Sequence, residues 1–106
     1  MGIVSIGGCN GAVLEAIDRL AAEGIVLDYM RIRGFPFCAA VGDFLRAHER
    51  TFVVEQNRDG QLRSLLLLET EVDARRLLSI RDYGGTPLSA RRVVDGVTAQ
   101  LAEVAA

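Results

Sequence analysis

Thr51-Phe52-Val53-Val54-Glu55-Gln56-Asn57-Arg58-Asp59-Gly60-Gln61-Leu62 passes without a linker from strand chemistry into a polar turn and on into a helix. Thr51 to Glu55 is β-branched, aromatic and mostly apolar, the composition of a buried strand. Glu55 to Gln61 are seven consecutive polar or glycine positions, and beyond them Leu62, Leu65 and Leu66 recur at helical spacing as far as Glu69. The same unit recurs on either side. Upstream, Ile3-Val4-Ser5-Ile6 is a short strand closed by Gly7-Gly8. The helix that follows carries Val13, Ala16, Ile17, Leu20 and Ala21 on one face, with Glu15, Asp18 and Arg19 turned away. Asn10 is placed to cap this helix, and Gly24 to end it in the left-handed conformation. Ile25 to Ile32 reads as a second strand and Cys38 to Ala47 as a second helix. Downstream come a strand over Leu77 to Ile80, a loop at Asp82-Tyr83-Gly84-Gly85, and Thr86 as N-cap with Pro87 at the first helical position. The last helix places Val93, Val94, Val97, Leu101 and Val104 on one side. This alternation predicts a three-layer α/β/α sandwich with a mainly parallel sheet of four to five strands.

The 106 residues have room for one domain, residues 1–106, and no linker, repeat or low-complexity segment divides them. A net charge of −2 gives no reason to expect a nucleic-acid or membrane partner. All 12 basic residues are arginine, so chemistry that needs a Schiff-base or phosphate-loop lysine on this chain is excluded. There is no apolar run of membrane-spanning length, and Met1-Gly2-Ile3-Val4 lacks the basic start of a signal peptide. Cys9 and Cys38 form no CxxC and read as reduced thiols, which points to the cytoplasm. An iron–sulfur cluster takes four thiolates, so none is expected here.

Several motifs invite chemistry. Ile6-Gly7-Gly8-Cys9-Asn10-Gly11 lies at a strand-to-helix turn, where dinucleotide-binding folds hold pyrophosphate. Gly8 and Gly11 match the fingerprint, but Ile6 stands where its first glycine should be, and Asp28 precedes most of its strand instead of following it. A tight turn with close strand–helix packing accounts for the same glycines. Cys9 sits near a helix N-terminus, which can lower a thiol pKa, with no histidine close in sequence. His48, the single histidine, reads as a solvated residue at a helix C-terminus. One histidine and two scattered cysteines do not make a zinc site. In Gly34-Phe35-Pro36-Phe37 the two aromatics either tuck into the core or face a partner. The loop after Val54 is the strongest feature. Glu55, Arg58 and Asp59 can pair with charges on a neighbour, and Gln56, Asn57 and Gln61 offer amide donors and acceptors. The alternative is a self-satisfied turn in which Asp59 caps the helix.

Taken together, these segments resemble a known family. Val53 to Arg63 is similar to a signature stretch of the α subunits of 2-oxoacid:ferredoxin oxidoreductases, and most similar to the 2-oxoglutarate branch. Val4 to Gly8, Tyr29 to Phe37 and Tyr83 to Arg91 agree in order and spacing, so the resemblance covers nearly the whole chain. It implies a transketolase C-terminal-like domain at the end of a longer α subunit, and a chain that is an excised fragment. It further implies a parent enzyme that uses thiamine diphosphate, magnesium, an iron–sulfur cluster and CoA to turn a 2-oxoacid into acyl-CoA and CO2, passing electrons to ferredoxin. No cofactor or cluster motif of the family is matched in these residues. The resemblance therefore implies a domain that binds no cofactor and packs against the remainder of the α subunit and the β subunit. Glu55, Gln56, Asn57, Arg58, Asp59, Gln61, Phe35 and Phe37 are the interface candidates. The competing readings are a free-standing nucleotide or small-molecule module built on the Gly7–Gly11 turn, and a redox thiol at Cys9.

Overall fold

The computed structural model describes residues 1–56, 59–82 and 88–105. Four strands, β1 (Gly2–Ile6), β2 (Asp28–Ile32), β3 (Thr51–Glu55) and β4 (Leu77–Arg81), alternate with helices α1 (Asn10–Ala21), α2 (Ala39–Ala47), α3 (Gln61–Thr70) and α4 (Ala90–Ala105). The strands lie in the order β2-β1-β3-β4 and every neighbouring pair is parallel. Among the described residues the sheet has these four strands and no fifth. The central strands β1 and β3 are buried almost throughout, whereas the edge strands β2 and β4 are buried in part. A parallel sheet covered on both faces requires that difference, because its crossovers must lay helices over both sides.

Strand alternation splits the core in two. Ile3, Phe52, Val54 and Ile80 point to one face and pack under Val13, Ala16 and Leu20 of α1 and Val93 and Val97 of α4. Val4, Ile32, Val53 and Leu77 point to the other, under Val41 and Leu45 of α2 and Leu62 and Leu66 of α3. The contact between α4 and β4 is tight: a Cβ on Gly96 would stand 3.1 to 3.3 Å from the Ile80 side chain.

Three local expectations change. The second strand begins at Asp28, not Ile25, because Ile25 N–H returns to Leu20 O at 2.9 Å while Gly24 N–H bonds Ala21 O at 3.0 Å. With Gly24 at φ +85°, this is the Schellman ending expected of that glycine, and it extends past the glycine into the following residue. Asn10 does not cap α1. The helix starts at Asn10 with Cys9 ahead of it and no side-chain cap, and Asn10 Oδ1 instead accepts from the Tyr29 hydroxyl at 2.8 Å. Thr86, Pro87 and the Tyr83–Gly85 loop lie outside the described residues, as does the Val104 side chain. The last helix itself opens at Ala90, where Ser89 Oγ accepts from Arg92 N at 3.2 Å as an N-cap does.

The core makes two predictions of opposite sign. Phe52 is fully buried, and Phe52→Ala should cost about 3–5 kcal/mol in urea unfolding. Thr51 Oγ1 is buried without a hydrogen-bond partner among the described residues. Thr51→Val keeps the shape and removes that orphan, so it should hold or raise stability, by up to about 1 kcal/mol in the same assay.

Candidate functional site

The chain leaves β1 to build β2 on one side, then crosses to build β3 on the other. The direction of winding therefore reverses between β1 and β3, and the carboxyl ends of these two strands flank the crevice where open α/β sheets place ligands and partners. The Gly7–Cys9 turn stands on one side and Glu55–Gln56 on the other. Cys9 Sγ lies 3.7 Å from Gln56 Oε1 and spans the gap.

Glu55 governs this end of the sheet. Its side chain is 1% exposed, and its carboxylate accepts from Leu62 N at 2.7 Å and from Arg63 N at 3.2 Å. These amides belong to the first turn of α3, which has no intrahelical partner for them. A buried carboxylate there gains charge-assisted hydrogen bonds and the favourable end of the helix dipole. Gly60, at φ +64°, makes the turn, and a Cβ there would lie 3.9 Å from Glu55 Oε2. The sequence makes Glu55 a candidate for pairing with a neighbour, with an Asp59-capped turn as the alternative; instead Glu55 faces inward and is itself the cap. Residue 60 precedes the helix with no side-chain cap, and the capping carboxylate comes from the strand. Gln56, Asp59 and Gln61 remain on the surface, and Asn57 and Arg58 lie outside the described residues.

Phe35 and Phe37 part company. Phe37 is half-buried against the α2–α3 side of the core, while Phe35 is 56% exposed. Their rings meet edge to face at 5.3 Å across the cis Phe35–Pro36 bond. This loop follows the carboxyl end of β2, so it shares the end of the sheet that carries Gln56 and Asp59.

The competing readings lose their geometry. Gly7 needs its glycine for φ +73°, but among the described residues a methyl group at Gly8 or Gly11 would meet nothing, so close packing of the described strands and helices does not account for those two. Asp28 pairs in register with Gly2, at the opposite end of the sheet from the glycine turn, and its carboxylate is 2.8 Å from His48 Nε2. The two halves of a dinucleotide site are therefore a strand length apart. His48 is not solvated as expected. Its side chain is 12% exposed and also bonds Phe44 O at 2.7 Å, which ties α2 to the start of β2. Cys9 is buried, and burial pushes its thiol pKa up, with the negative charges of Glu55 and Asp82 pushing it further the same way. An activated nucleophile needs the reverse. No group of three or more His, Cys, Asp and Glu side chains is placed to hold a metal among the described residues, and no helix there is long and apolar enough to cross a membrane.

Sequence reasoning missed one network. The Tyr29 hydroxyl, which donates to Asn10, is also 2.7 Å from Ser5 Oγ, so a buried strand serine and an edge-strand tyrosine pin the start of α1. The polar Ser5 inside an apolar strand was the available signal.

The chain is 33% identical over 97 residues, 90% of its length, to 2-oxoacid:ferredoxin oxidoreductase 2, subunit alpha, of Aeropyrum pernix. It also superposes on a solved 2-oxoglutarate:ferredoxin oxidoreductase from Magnetococcus marinus with a TM-score of 0.81 over 94% of its length, at 28% identity. The chain is thus similar to parts of 2-oxoacid:ferredoxin oxidoreductases. The chain spans 15% of the Aeropyrum subunit and 17% of the Magnetococcus chain, so it corresponds to a small part of each oxidoreductase polypeptide. The Magnetococcus enzyme was solved with 2-oxoglutarate, coenzyme A and succinyl-CoA bound. No family model matches the chain.

Two measurements follow from the site. Glu55→Ala should lose about 2–3 kcal/mol and expose the Leu62 and Arg63 amides to hydrogen exchange, while Glu55→Gln, which keeps one acceptor oxygen, should lose about half as much. The raised Cys9 pKa means less thiolate at any given pH. Its iodoacetamide rate should therefore climb only at more alkaline pH than that of the same thiol in the urea-unfolded chain, and a Cys9 that reacts faster when folded would contradict the geometry.

Proposed function

We propose that residues 1–106 form one domain, the transketolase C-terminal-like domain of the α subunit of a cytoplasmic, thiamine-diphosphate-dependent 2-oxoacid:ferredoxin oxidoreductase, with 2-oxoglutarate as the substrate. Its role is assembly: it packs against the rest of the α subunit and the β subunit. The observation that carries this reading is the mismatch of lengths. More than nine-tenths of this chain aligns with the Magnetococcus oxidoreductase, yet that alignment takes up 17% of the oxidoreductase chain. A domain so small beside its relatives works in contact with what surrounds it.

The parent reaction converts a 2-oxoacid and CoA into acyl-CoA and CO2, with two electrons leaving through an iron–sulfur cluster to ferredoxin. The residues here do not fit those cofactors. Cys9 is buried beside carboxylates and Cys38 is exposed ahead of α2, so the two thiolates cannot share a cluster that takes four. No step of the reaction is assigned to this domain. Its contribution is a rigid face at the carboxyl end of the sheet, where Gln56, Asp59 and Gln61 offer polar contacts beside exposed Phe35. An aromatic anchor within a polar surround is the composition of a protein interface.

The test is affinity purification of the tagged chain from a lysate of its source organism, with mass spectrometry of what is retained. Recovery of a thiamine-dependent, iron–sulfur β subunit, reduced several-fold by Phe35→Ala combined with Gln61→Ala, supports the reading. Recovery of no oxidoreductase subunit, together with saturable binding of NAD or ATP, would sink it in favour of a nucleotide module.

A further inference from the structure

A concavity of about 490 Å³ adjoins the carboxyl end of β2. Buried Ile32 and Val41 line it together with Phe35 and Phe37, and the charged residues among its lining are Arg31 and Arg33. Among the described residues no carboxylate lines it. Among the described residues Arg31 reaches only Gly7 O, at 3.4 Å, and Arg33 makes no hydrogen bond or ion pair. The α2 N-terminus opens beside the groove at Cys38 with no side chain capping it, so the positive end of that helix adds to the same field. Alongside runs the free edge of β2, which pairs with β1 on one side and with no strand on the other among the described residues.

We infer that this groove docks an extended acidic segment of a partner polypeptide, with a carboxylate on Arg33 and an apolar side chain against Phe35 and Phe37. The inference rests on the assembly reading and names the chemistry of what docks. Charge decides the occupant. An exposed Arg33 with no ion pair to a described carboxylate, in a lining that holds no acidic residue among those described, repels a basic segment and can hold a carboxylate in bidentate fashion. The open strand edge fixes the conformation, since an extended segment can continue the ladder while alternate side chains fall into the groove. The exposed aromatic provides the anchor that small polar ligands would leave in water.

Cys38 lies in the groove and is exposed, whereas Cys9 is buried, so alkylation of Cys38 by iodoacetamide reports occupancy at a known place. The probes are two fluorescent pentapeptides, one alternating glutamate with phenylalanine and one alternating lysine with phenylalanine. The acidic peptide should bind in anisotropy titrations and slow Cys38 alkylation, and the basic peptide should do neither. Arg33→Glu should reverse that order, and Phe35→Ala should weaken the acidic peptide by about ten-fold. Because all of these side chains are on the surface, the variants should keep the wild-type urea midpoint. Equal binding of both peptides, binding of neither up to about 1 mM, or an order unchanged by Arg33→Glu would overturn the inference. So would protection of Cys38 that grows with protein concentration alone, which would make the occupant a second copy of the chain. If the acidic peptide docks but affinity purification recovers no oxidoreductase subunit, the parentage fails and the groove stands. The opposite result removes only the groove.

Discussion

A single buried carboxylate orders the carboxyl end of this sheet. Glu55 ends the central strand β3, where an apolar residue would be the ordinary choice, and it spends both oxygens on the first turn of α3. A charge that far from water is tolerated only when hydrogen bonds replace its hydration, and two backbone amides at the positive end of a helix do so. The chain between strand and helix is thereby released from the work of capping. It needs only to turn, which left-handed Gly60 allows, and its polar side chains Gln56, Asp59 and Gln61 stay at the surface. The site and the fold meet in this residue: the same interaction that docks α3 also presents the loop.

Much of the architecture was legible because parallel α/β chains repeat one physical unit. Val53 and Val54 are both buried although they face opposite sides of the sheet, and such a run of apolar neighbours is how a doubly covered strand reads in sequence. The helices were legible from Val13, Ala16 and Leu20, and from Val93 and Val97, because helical spacing maps directly onto a face. Caps were less legible. Asn10, Thr86 and Asp59 are good capping residues by type, yet α4 is capped by Ser89 and α3 by Glu55, seven residues ahead of its bonded amide. Local propensity cannot see a partner delivered by the tertiary fold. The candidate site was half legible for the same reason: the sequence marks the loop as special, but not which of its polar groups face inward.

Arginine serves structural ends here that a lysine would serve less well. Arg63 donates from Nε to Leu77 O and from Nη2 to Ala74 O, both at 2.8 Å, so one planar fork stitches α3 to the start of β4. A point-charge ammonium cannot span two carbonyls in that fixed geometry. The groove beside β2 differs: Arg33 makes no such stitch with a described residue, and that contrast is why its charge speaks of something outside the chain.

The enclosure of Glu55 also sets how this domain responds to ionic strength. Surface pairs such as Glu15–Arg19, half exposed on both sides, are open to counter-ions and fade as salt rises past the Debye regime. The carboxylate under α3 is out of reach of those ions. A brine that strips the periphery of its electrostatics would leave the junction between β3 and α3 as firm as in dilute buffer, so the two kinds of charge in this small protein belong to separate regimes, one tuned by its surroundings and one insulated from them.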